Sequence, residues 1–134
     1  MQIIETKREY VNKGFVKHSA MLNWGQYKKG DFGNFNSFEK VSFVTKDRVR
    51  LVGRYYHNKD GAPLVLMFHG YRSSALRDAM GAFMFSKECG YNILIVDQRA
   101  HRESGGRTIT FGVKERQDCL EWVKYAVRRF GKDV

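Results

Sequence analysis

One proline in 134 residues, two cysteines and no long apolar run mark what this chain lacks. So little proline, few low-complexity patches and no visible repeat suit a folded chain rather than a disordered one. Cys89 and Cys119 lack the spacing of a metal knuckle or a redox pair, so they read as reduced packing residues inside helices. No segment approaches the roughly eighteen apolar residues of a membrane span. The start, "MQIIETKREYVNKGFVKHSA", carries charges early and has no apolar signal core, which reads as cytoplasmic. Acidic residues are scarce, 14 against 24 basic, giving a formal charge of +10. The basic residues are scattered, as in Lys28-Lys29, Arg48, Arg50, Arg72 and Arg128-Arg129, without a basic run or a nucleic-acid signature. They read as a solvated surface, so no nucleic-acid partner is expected, and nothing points to a metal or an organic cofactor.

What is present suits a folded domain, with 43% hydrophobic and 28% charged residues. Residues 1–36 read as a helical and loop extension, ending in "GQYKKGDFGNFNS", whose glycines, asparagines and serine favour loop. Residues 37–134 carry the domain pattern. Phe38, Val41 and Phe43 alternate with polar neighbours, Lys46-Asp47 make a turn, and Val49, Leu51 and Gly53 or Arg54 alternate again, so an antiparallel hairpin is predicted. Leu64–Phe68 and "YNILIVD" are apolar almost throughout, as strands covered on both faces require. Between them Ser74–Cys89 is helical, with Leu76, Ala79, Met80, Phe83 and Met84 on one face and Gly90 placed to end it. Gly112 and Glu115 suggest a capped start for a last helix, whose inward face is predicted as Leu120, Val123, Ala126, Val127 and Phe130. The fold class is therefore α/β: an N-terminal antiparallel hairpin, then parallel strands with helices on both faces.

The stretch "PLVLMFHGYRSSA" ends its buried strand in His69-Gly70. Ligands of open α/β sheets bind at the carboxyl ends of parallel strands. Glycine lets the backbone turn there without a side-chain clash, and the N–H of Tyr71 is placed to face the crevice. A fixed N–H at such a point is what acyl-transfer enzymes present to a developing oxyanion.

"LVLMFHGYRSS" followed by "GYNILIVDQRAHRESGGRTITFGVKERQDCLEWVKYA" resembles the α/β-hydrolase superfamily, in its serine aminopeptidase and esterase-like branch. The residues that carry the likeness are His69-Gly70, Asp97, Arg99, His101, Ser104 and Gly105, each set behind a buried strand. The resemblance implies that Tyr71 supplies one oxyanion-hole N–H. It implies that His69, Gly70, Asp97, Arg99, His101 and Ser104 shape the site. Arg102 stands where the family has a glycine, which calls for a rearranged loop or a drifted copy. His101 is not expected to be the base, because the family's catalytic histidine comes last in chain order. Ser73 and Ser74 read as turn and helix-cap residues.

No Gly-x-Ser-x-Gly occurs in the sequence, so the resemblance implies an N-terminal half without nucleophile, acid or catalytic histidine. The expected function is a portion of a serine hydrolase acting on a small ester or peptide substrate once completed, and the chain alone is expected to be inactive. The family's strand order also predicts an unpaired edge at Leu64–Phe68, hence self-association or a complementing C-terminal chain. The alternative is a non-catalytic assembly module that captures a partner along that edge.

Overall fold

The computed structural model describes residues 37–132; the extension expected over residues 1–36 lies outside them. β1 (Glu39–Val44) and β2 (Arg50–Tyr56) form the predicted hairpin, with Val41 opposite Gly53 and Phe43 opposite Leu51. Its turn falls at Lys46-Asp47 and is closed by Thr45, whose Oγ1 accepts the Val49 N–H at 3.0 Å. β3 (Leu64–Met67), α1 (Ala75–Glu88), β4 (Asn92–Asp97) and α2 (Glu115–Phe130) follow.

The sheet order is β1-β2-β4-β3, with β4 antiparallel to β2 and parallel to β3. β4 is buried at every position, as its unbroken apolar run predicts. Its alternate side chains feed opposite layers. Ile93 and Ile95 join Tyr56, Met67 and the Ala75, Ala79 and Phe83 face of α1. Leu94 and Val96 join Val41, Leu51, Tyr55 and Trp122 of α2. The helices therefore cover both faces, which confirms the α/β architecture.

Helix α1 begins and ends as its sequence dictates. Ser74 is the N-cap, its Oγ accepting the Arg77 N–H at 3.2 Å. Gly90 lies at φ 79, and the Gly90 and Tyr91 N–H groups close the last turn onto Lys87 O and Ser86 O.

Three expectations are corrected. β2 does not alternate but is buried from Leu51 to Tyr56, because β4 pairs along its second edge and helices cover both faces. β3 is not buried on both faces: it lies at the sheet edge among the described residues, Leu64, Val65 and Leu66 are half-buried, and Phe68 is 37% exposed. On α2, Leu120, Val123 and Val127 are 59%, 48% and 38% exposed. The helix instead turns Asp118, Trp122 and Ala126 inward, with Tyr125 and Phe130 packed beside them. Two contacts set this rotation: Arg99 draws Asp118 in, and the Trp122 ring sits over Gly53.

A Cβ at Gly53 would lie 2.9 Å from Trp122 Cη2 and 3.2 Å from the Ile95 carbonyl oxygen. Glycine is what lets the indole reach the sheet. Gly53→Ala is expected to cost about 1–3 kcal/mol by overpacking. Urea unfolding of the chain followed by circular dichroism checks this, and an unchanged midpoint would show that Trp122 moves aside freely.

Candidate active site

Parallel pairing sets the ends of β3 and β4 side by side, so the His69 loop meets the loop after Asp97. His69 is buried, and it joins the two. Its Nε2 accepts the Gln98 N–H at 2.9 Å, which leaves the proton on Nδ1, and Nδ1 donates to Gly70 O at 2.8 Å. The Gln98 side-chain amide in turn donates to the His69 carbonyl. His101 packs edge-on against His69, with centroids 4.6 Å apart, and its Nδ1 bonds Arg99 O at 2.9 Å. Its Nε2 is buried with no partner among the described residues.

The Gly70 loop is fixed from the helix side as well. Asp78, in the first turn of α1, accepts the Gly70 N–H at 2.6 Å and the Ser73 hydroxyl at 2.5 Å. These bonds, Ser73 first, hold its carboxyl below the usual range. A Cβ at Gly70 would lie 3.2 Å from Asp78 Oδ2, so the glycine serves this close approach; the left-handed residue of the loop is Arg72, at φ 52. The Gly70 carbonyl is held by His69 and by the Ser73 N–H at 3.3 Å. In a trans peptide the N–H points opposite to the carbonyl. Pinning that carbonyl therefore orients the Tyr71 N–H, which makes no hydrogen bond among the described residues.

The other expected site residues face elsewhere. Asp97 is fully buried and pairs with Arg54, 3.2 Å away, while Arg54 also reaches Glu103 at 3.1 Å. Ser104 Oγ donates to Asp97 O at 2.5 Å and accepts the Val52 N–H at 2.9 Å. Arg99 turns to the α2 side, with Nε 2.6 Å from Asp118 and a terminal nitrogen 3.0 Å from Asp47. Those carboxylates, Asp118 first, strengthen the guanidinium's hold on its proton. Asp97, Arg99 and Ser104 thus brace the loop from behind. His69, Gly70, Tyr71 and His101 form its front.

Arg102 adopts φ 46, so the loop keeps the left-handed turn that a glycine would occupy and is not rearranged. Gly105 donates to Arg50 O at 2.6 Å, and a Cβ there would press on that oxygen at 3.3 Å. Sequence reading missed Asp78, Gln98, Arg54, Asp47 and Asp118. For Asp78 a local signal exists, an acidic residue in the first turn after a serine cap. A surface cavity of about 370 Å³ opens between the hairpin turn and α2, but its Asp47 and Asp118 are already engaged by Arg99.

At the start of α2, Glu115 is the expected capping residue. Burial pushes its carboxyl up, but bonds from the Thr110 hydroxyl at 2.6 Å, the Thr110 N–H at 2.7 Å and the Gly112 N–H at 2.9 Å outweigh it and hold it at about 2.

No family model matches the chain. It is 30% identical over 89 residues to the uncharacterised protein YqkD of Bacillus subtilis, covering 65% of this chain and 29% of that one. The esterase Pf2001 of Pyrococcus furiosus superposes with a TM-score of 0.66 and 31% identity, over 81% of this chain and 41% of the esterase. The α/β hydrolase GrgF of a Penicillium species gives 0.61 at 18% identity, a likeness of fold alone. The chain spans less than half the length of each.

A carboxyl whose folded value lies below its unfolded value stabilises the fold fully above the unfolded value and loses that contribution as pH falls. For Glu115 the loss runs from about 4.5 down to about 2. Urea midpoints across that window are expected to fall with acidification in the native sequence and to fall less in Glu115→Gln. Parallel acid profiles would remove Glu115 as the cause.

Proposed function

Because this chain folds as part of an α/β-hydrolase domain, we propose that it supplies the core sheet and one oxyanion-hole loop of a serine hydrolase cleaving ester or amide bonds. The observation that carries this reading is the Gly70–Tyr71 peptide, held by His69, Ser73 and, one peptide earlier, by Asp78. Negative charge develops on the substrate carbonyl oxygen as a serine attacks. A donor already aimed at that oxygen stabilises the charge without reorganising. The likeness to an esterase at 31% identity favours the ester.

The second oxyanion donor in this fold is the N–H following the nucleophile, on a Gly-x-Ser-x-Gly turn that this sequence does not contain. The nucleophile, its histidine and its acid therefore come from polypeptide other than these 134 residues. By this reading the chain alone hydrolyses nothing. The second reading, an assembly module, draws on the β3 edge, which is unpaired among the described residues.

The test is a serine-directed fluorophosphonate applied to the native gene product, followed by intact mass. A product above 15.6 kDa, or a second chain bound to this one, labelled on a Gly-x-Ser-x-Gly serine, is the expected result. An unlabelled species of the chain's own mass overturns the hydrolase, and a tight partner with no reactive serine establishes the assembly module. In the same enzyme left unlabelled, Asp78→Ala is expected to lower kcat by about tenfold or more with a smaller effect on KM, because the loop it holds acts on the transition state. Loss confined to KM would make Asp78 merely a binding support.

A further inference from the structure

The turn that leads into α2 displays its apolar side chains instead of hiding them. Phe111 is 79% exposed and Val113 67% exposed. Phe111 holds a left-handed backbone at φ 51, which a bulky residue adopts only when its surroundings impose it. Here the imposing group is the buried Glu115 carboxylate, which gathers the Thr110 and Gly112 N–H groups beneath the turn. Tyr71, 58% exposed, leans its ring on Phe111 with centroids 5.2 Å apart. The result is a rigid apolar knob at the carboxyl ends of the strands.

Its surroundings are basic. Arg72 lies over the Tyr71 ring at 5.7 Å, and Arg107, Lys114 and Arg116 are exposed on the same turn and its flanks. The acidic groups nearby are committed: Glu115 to the turn itself, Asp78 to Gly70 and Ser73, Asp47 to Arg99 with Lys114 3.9 Å away, and Glu103 to Arg54 and Lys40. A second copy of the chain docking here would bring like charges together. An anionic partner gains from them, least from Lys114, beside which Asp47 already stands.

We propose that the Tyr71, Phe111 and Val113 knob inserts into an anionic phospholipid surface, with Arg72, Arg107, Lys114 and Arg116 against the headgroups. Aromatic and aliphatic side chains enter the acyl boundary while basic residues stay at headgroup level. A rigid knob loses little freedom on insertion. Attachment is peripheral, since no helix among the described residues is long and apolar enough to cross a membrane. The docking does not depend on the hydrolase reading and is tested without any activity.

The experiment is flotation of the 134-residue chain with phosphatidylcholine vesicles, with and without phosphatidylglycerol, in which aggregates sink and bound protein rises. The chain is expected to float with the anionic vesicles and to be released by salt. Phe111→Ser with Val113→Ser is expected to lower the partition coefficient about tenfold or more. Lys114→Gln with Arg116→Gln is expected to lower it about fivefold for each charge removed and to flatten the salt dependence. All four residues are exposed, so circular dichroism should match the native chain. Equal flotation with neutral vesicles, undiminished flotation of the serine variant, or a serine variant that instead dissociates an oligomer would each overturn the proposal.

Discussion

Arg99 fastens together three segments that the backbone ladder leaves apart. Its guanidinium lies between Asp118 on α2 and Asp47 in the β1–β2 turn, while its own backbone begins the loop after β4. A buried guanidinium must be matched by carboxylates, because losing one partner leaves a desolvated charge. This requirement fixes where α2 lies and which way it is rotated. It also anchors the loop whose other face carries His101.

The same logic recurs along the carboxyl ends of the sheet. Arg54 with Asp97, and Ser104 with Val52 and Asp97, satisfy buried polar groups through distant side chains, as Asn92 does with the β2–β3 connection at the opposite end of β4. Loops ordinarily run over the surface and move. These are held by buried hydrogen bonds from both sides, so the peptide planes near His69 sit at fixed angles. Such preorganisation is what a loop needs if its N–H is to meet charge that appears only in a transition state.

Local pattern made much of this legible. The solid run of β4, the serine cap and Gly90 at the two ends of α1, and the alternation of β1 all follow from nearest-neighbour chemistry. The inward face of α2 was not legible, since its buried stripe contains Asp118, and hydrophobic periodicity counts an inward aspartate as a solvent residue. Arg99 and Asp47 stand 52 positions apart. Only the folded arrangement brings such partners together. The residues singled out after β3 and β4 do gather around two adjacent loops, with Asp97, Arg99 and Ser104 bonded behind them rather than facing the His69 side.

β4 lies between β2 and β3 in space although it follows both in the chain. A growing polypeptide that emerges N-terminus first must therefore hold open a slot between two incomplete edges. At roughly 5–20 residues per second, the stretch from Tyr56 to Asp97 takes a few seconds to appear. Throughout that interval the inner rim of β2 has no mate, nor has that of β3 once it is made. Synthesis of this fold thus passes through an obligatory window of stickiness, closed by the arrival of the strand that is buried at every position.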